Sequence, residues 1–266
     1  MNRRLGNLER QLFAYAQMRR IQELRTGDLT GPLGITPKQE RELLTRLAAS
    51  RLIAKVRRGL YLVPARLPLG AQWTPDESLV LSTLMADRGG RYQICGPNAF
   101  NRYGFSDQMP QRVYAYNNRM SEERTVGAVA LILIKVADQR LGETQKERTP
   151  EGRTLVYSSR VRTLVDAVYD WSRFNSLPRG YAWIRDDLGA GRVTATDLVR
   201  VTLRYGNIST IRRIGALLER AGVRESLLSK LERAFDRPTS AIPWIPTAKT
   251  AGTIIQRWGV LLNGRP

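Results

Sequence analysis

Lys38, Arg41, Glu42, Thr45 and Arg46 stand within nine consecutive residues. At 100° per residue the first four share one face of a helix, and Arg46 lies on its flank. These residue types recognise rather than react. Arg41 or Arg46 can donate two hydrogen bonds to guanine O6 and N7, and Glu42 can accept from cytosine N4. Each such contact discriminates against a wrong base by about 1–3 kcal/mol. Lys55, Arg57 and Arg58 form a second cationic cluster further on. They suit phosphate or a minor groove, which gives affinity more than sequence choice. A solvated helix face can carry the same residues, so the pattern leaves that alternative open.

The elements that would position both clusters are well marked. Thr36 precedes Gln39 by three residues, the spacing of a capping box, and Pro37 takes the first helical position, where its missing N–H costs nothing. Thr36 joins the candidate set at this helix N-terminus. Leu43, Leu44 and Leu47 recur on the opposite face. Leu52 to Val56 and Leu60 to Val63 then read as two short strands about a basic tip, with Gly59 supplying the turn. Upstream, Leu5 to Arg19 predicts a helix burying Leu8, Leu12, Phe13 and Ala16. Thr26-Gly27-Asp28-Leu29 predicts the start of a short second helix ending near Leu33-Gly34. Helix, short helix, helix and hairpin is the order of a winged helix-turn-helix, expected as a domain over residues 1–66. Arg3, Arg4 and Arg10 are further phosphate candidates.

Composition agrees with such a partner. The 266 residues include 43 Lys or Arg against 24 Asp or Glu, a net charge of +19, and only 6 of the cations are Lys. The arginine fork matches phosphate and guanine edges, although base-composition drift alone would also exchange Lys for Arg. Residues 1–70 carry a net +9, residues 71–150 a net +1, and residues 151–266 a net +9. Two cationic lobes thus flank a near-neutral middle. Cys95 is the single cysteine and there is no histidine, which excludes an intrachain disulfide, a cysteine–histidine metal site and the commonest general base. No apolar run approaches the ~18 residues of a membrane span, and no signal peptide is evident, so a cytoplasmic protein without a membrane partner is expected.

Residues 67–266 predict a larger mixed α/β domain, making the whole an α/β (α+β) chain. Pro64, Pro68 and Gly70 mark the boundary. The region 90–158 is strand-rich, 159–236 is mainly helical, and 253–262 reads as a terminal strand. Within it, Thr74 with Glu77 predicts a capped helix, and Val126 to Val136 is the strongest strand candidate. Catalysis finds little support. No Asp or Glu is followed two residues later by Lys, as a common metal-dependent nuclease site requires, and no GxxxxGK phosphate loop occurs. Asp107, Asp138 and Glu143 are scattered. Asp166 and Asp170 lie one helical turn apart, where a cap or an arginine pair is the more economical role than a metal. No catalytic, cofactor or metal site is expected. Arg200, Arg204, Arg212, Arg213, Arg220, Arg224 and Arg233 form a second basic surface, with nucleic acid, an acidic protein or plain solvent as its partner.

Several landmarks in order resemble the AbiEi family of antitoxins from abortive-infection toxin–antitoxin systems. They are Leu52-Ile53-x-Lys55-Val56-Arg57-Arg58-Gly59-Leu60-Tyr61, then Gly96-Pro97-Asn98-Ala99-Phe100-x-x-Tyr103-Gly104-Phe105, then Ser159-x-x-Arg162-Thr163-Leu164-x-Asp166-Ala167, and finally Trp258-Gly259-Val260-x-x-Asn263. The resemblance implies a winged helix that binds inverted repeats in double-stranded operator DNA and represses its own operon. It also implies a C-terminal domain that counteracts a nucleotidyltransferase-like toxin in phage defence, without requiring a stable complex. Its helix and wing roles map onto Arg41, Arg46, Lys55, Arg57 and Arg58. Dimerisation on palindromic DNA would follow from the operator symmetry. The alternatives are a transcription regulator with a ligand-sensing or oligomerising C-terminal domain, and a nucleic-acid-processing enzyme with an atypical site.

Overall fold

The computed structural model describes residues 5–66 and 72–264. Helix α1 (Asn7–Met18) turns Leu12, Phe13 and Ala16 inward at helical spacing. Strand β1 (Glu23–Arg25) follows, an element absent from the sequence reading. It buries one residue, Leu24, and three residues are too few for alternation to register. Helix α2 (Thr30–Leu33) begins later than expected, because Gly27 at φ +108° places Thr26 to Leu29 in a turn. Helix α3 (Pro37–Ala49) has the capping box that its spacing requires. Gln39 N–H donates to Thr36 Oγ1 at 3.3 Å, and Thr36 N–H donates to Gln39 Oε1 at 2.8 Å.

Strands β2 (Ala54–Arg57) and β3 (Leu60–Leu62) form the expected hairpin, with Gly59 turning at φ +79°. The sheet has three strands. β3 lies between β1 and β2, antiparallel to both, with Tyr61 opposite Leu24 on one side and Lys55 on the other. Leu12, Leu24, Leu43, Leu44, Leu47 and Ile53 meet in the core beneath it.

Helix α4 (Glu77–Arg88) is capped by Asp76, whose carboxylate accepts from Leu79 N–H at 2.9 Å, rather than by Thr74. Strand β4 (Tyr92–Ile94) and helix α5 (Gly96–Arg102) come next. The Val126–Val136 run is not one strand. Gly127, at φ +63°, turns the chain between β6 (Glu122–Val126) and β7 (Val129–Lys135). β7 lies between antiparallel β6 and parallel β5 (Val113–Asn117). β6 is largely polar, so an apolar-run criterion passes over it. The wholly exposed β8 (Thr144–Arg148) escapes for the same reason, whereas β9 (Thr154–Ser158) lies in the strand-rich region expected over 90–158 and pairs parallel with β4 through Ile94 and Tyr157.

The remaining chain is helical: α6 (Arg160–Tyr169), α7 (Trp171–Phe174), α8 (Arg179–Gly189), α9 (Ala195–Tyr205), α10 (Ile208–Arg220) and α11 (Glu225–Glu232). Ser159 and Thr194 cap α6 and α9 with their side chains. The expected terminal strand is two strands, β11 (Thr253–Ile255) and β12 (Val260–Leu262), because Gly259 at φ +56° ends a turn between them. A short β10 (Ile242–Pro243) pairs parallel with β12. Trp244 and Trp258 are fully buried here, and Trp244 stacks on Tyr181 of α8 at 3.9 Å.

The fold is mixed α and β. Two compact units divide it: residues 1–92, 111–135 and 148–155 in one, and 93–110, 136–147 and 156–266 in the other. The boundary expected after residue 66 therefore lies inside the first unit. Among the described residues no helix is long and apolar enough to cross a membrane.

Candidate nucleic-acid interface

Helix α3 divides its two faces as the spacing requires. Leu43, Leu44 and Leu47 are buried, while Lys38, Arg41, Glu42 and Thr45 are exposed. None of these four, nor Lys55 or Arg58, makes a side-chain hydrogen bond or ion pair among the described residues. They are available to a partner. Thr36, by contrast, spends its hydroxyl oxygen on the cap.

Glu40 holds this face in place. Its side chain is fully buried, and its carboxylate accepts from Gly27 N–H at 2.7 Å and Leu29 N–H at 2.9 Å. The turn entering α2 is thereby tied to the first turn of α3. The sequence signal was visible: Glu40, Leu43, Leu44 and Leu47 form an i, i+3, i+4, i+7 row, with one acid in an apolar stripe.

Two of the expected contact residues are engaged within the protein. Arg46 pairs with the buried Glu9 of α1 at 3.2 Å, with about half its side chain exposed. Arg57 lies across Asp87 of α4, Nε to Oδ2 at 2.7 Å and Nη2 to Oδ1 at 2.5 Å. Arg25 of β1 reaches the same carboxylate at 3.2 Å. Of the hairpin cluster, Lys55 and Arg58 remain open among the described residues. A groove of about 410 Å³ runs beside the end of α3 and β2, with Arg51 and Lys55 as its cations and Trp73 and Gly127 in its wall.

The Arg57 guanidinium first, and Arg25 after it, hold the Asp87 carboxyl down to about 2, against the effect of its burial. A carboxyl depressed in the folded state contributes stability above its unfolded value of about 3.9 and loses it as pH falls through the folded value. The melting-temperature difference between wild type and Asp87→Asn is therefore expected to be constant from pH 7 to 5. It should shrink as pH falls from about 4 toward 2. A difference that stays flat across that range would mean that the charge on Asp87 contributes nothing.

The second basic surface is internal at two of its seven arginines. Arg212 donates to the carbonyls of Trp258, Ser240 and Gly259 at 2.5–2.6 Å, and Arg213 donates to that of Pro243 at 3.2 Å. Both are buried and tie α10 to the terminal strands. Arg200 pairs with Glu143 at 2.8 Å, and Arg257 gathers Glu219, Glu225 and Glu232. Arg204, Arg220, Arg224 and Arg233 stay exposed. Asp166 is buried between Arg162 at 2.9 Å and Arg140 at 3.1 Å, an arginine pair rather than an open ligand. Among the described residues no group of three His, Cys, Asp or Glu side chains is placed to hold a metal.

In fold the chain is similar to the crystal structure of the RV2827C protein from Mycobacterium tuberculosis. The TM-score is 0.60 and the sequence identity 16%, over 98% of this chain and 92% of that one. At that identity the likeness concerns the fold alone. No family model and no curated protein matches the chain.

Proposed function

We propose that the chain is a non-enzymatic, operator-binding antitoxin. In this reading the segment from α1 to β3 is a winged helix-turn-helix, α3 enters the major groove, and the β2–β3 tip meets the flanking backbone. The observation that carries it is the exposed row of Lys38, Arg41, Glu42 and Thr45, with Lys55 and Arg58 exposed on the hairpin, none of the six having a side-chain partner among the described residues. Two copies on inverted repeats would repress the chain's own operon. The second unit would counteract a nucleotidyltransferase-like toxin, as the ordered AbiEi-like landmarks suggest.

The test is a salt series on duplex DNA from the chain's own upstream region. Lys55→Ala and Arg58→Ala should each flatten the dependence of log K on log salt by ~0.9, the signature of one lost phosphate contact. Arg41→Ala should erode the preference for the operator over scrambled duplex. If all three variants bind like wild type, this face does not meet DNA. Co-expression with a neighbouring nucleotidyltransferase gene tests the second half: growth should be rescued by the full chain.

A cleft of about 680 Å³ in the second unit, bounded by Phe235, Arg237 and Arg257, favours the ligand-sensing regulator as the rival reading. Rescue of growth separates the two, since a plain regulator gives none.

A further inference from the structure

Asp87 occupies the last turn of α4. Aligned peptide dipoles leave that end of a helix negative, so an acid there is disfavoured unless a cation answers it. Two cations do, one from each outer strand of the three-stranded sheet. Arg57 and Arg25 occupy both carboxylate oxygens, and the Asp87 side chain is only 5% exposed. The Arg57 guanidinium has a further donor, Nη1, which reaches the backbone carbonyl of Arg58 at 2.8 Å. One planar group thus joins α4 to the peptide at the hairpin tip, and its rigid fork fixes the relative direction of those bonds. Three of the five guanidinium N–H donors are committed in this way, and the charge of the group is already answered by Asp87, so a phosphate would have to compete with that carboxylate.

We propose that Asp87 and Arg57 form a latch that orders the β2–β3 tip for DNA, with Lys55 and Arg58 making the phosphate contacts and Arg57 making none. Arg57 and Asp87 are positioning residues. This rests on the operator-binding reading above and refines it, because it removes from the contact set the arginine at the centre of the basic cluster. The sign of one substitution is diagnostic. Asp87→Asn raises the net charge by one, which by long-range electrostatics alone would tighten binding to a polyanion. Loss of the latch predicts the opposite.

The experiment is the same salt series, run on full-length wild type, Arg58→Ala, Arg57→Ala, Arg57→Lys, Asp87→Asn and the Arg57→Ala/Asp87→Asn double variant, with a thermal melt of each. Arg58→Ala should flatten the slope by ~0.9. Arg57→Ala should keep the wild-type slope and weaken operator binding at every salt concentration, by roughly tenfold. Asp87→Asn should weaken it by a similar factor, the double variant should be no worse than either single change, and Arg57→Lys should recover part of the loss. A flattened slope for Arg57→Ala, tighter binding by Asp87→Asn, or wild-type affinity in both would each overturn the latch. Should Arg57→Ala fail to fold, Asp87→Asn and Arg57→Lys decide the matter by the same criteria. Wild type that does not bind the duplex at low salt overturns the operator-binding reading, and the latch for DNA falls with it. Binding by wild type without the latch pattern leaves that reading standing.

Discussion

Glu40→Ala is expected to lower the unfolding free energy by about 3–5 kcal/mol, more than any change on the exposed face of α3. The fully buried carboxylate accepts two backbone N–H groups, those of Gly27 and Leu29. A hydrogen bond to a charged group is worth about 1.5–3 kcal/mol, and alanine leaves both donors without a partner away from water. Glu40→Gln keeps one acceptor oxygen and should cost about half as much. The two bonds tie the α2 turn to α3, the helix carrying Arg41. Urea unfolding of the three proteins measures the loss. A cost below about 1 kcal/mol for Glu40→Ala would mean that other contacts hold this turn.

Asp166→Ala should be comparably damaging in the second unit, by about 3–5 kcal/mol. It strands Arg162, which is completely buried, donates to both Asp166 oxygens at 2.9 Å and stacks at 3.9 Å on Tyr205. Arg140 loses its partner too, but it retains Tyr169 beneath it at 3.6 Å and is 16% exposed. Removing both charges has a different outcome. Asp166→Leu/Arg162→Met takes away the desolvated pair together and should be close to neutral, because two such charges lose in hydration much of what they gain in attraction. Calorimetric melts of the single and double variants check this. A double variant as destabilised as Asp166→Ala would show that the buried pair is a net source of stability.

Local rules made the candidate interface legible. The Thr36–Gln39 box, Pro37, the leucine row and Gly59 each act within a few residues, and α3 and the hairpin stand where those rules place them. The caps at Ser159 and Thr194 act over the same short range. Elements without an apolar signature were not. β1 buries only Leu24, β6 is mostly charged, and β8 buries nothing, so each exists through backbone pairing rather than an apolar face: β1 to β3 some way along the chain, β6 to β7 across the Gly127 turn, and β8 beside β9. The partition into units was hidden for a related reason, since segments far apart in the chain return to the same unit.

Charge was legible as an amount and not as an assignment. The sequence by itself determined the +19, the helical face of Lys38, Arg41, Glu42 and Thr45, and the basic tip, because composition and periodicity are local properties. Only the tertiary structure decided which arginines remain free. Arg57 lies on Asp87, 30 residues away; Arg46 lies on Glu9, 37 away; and Arg212 lies on carbonyls 28 to 47 away. A long, flexible cation pairs with whatever acid or carbonyl the fold brings within about 3 Å, and no periodicity along the chain encodes that meeting.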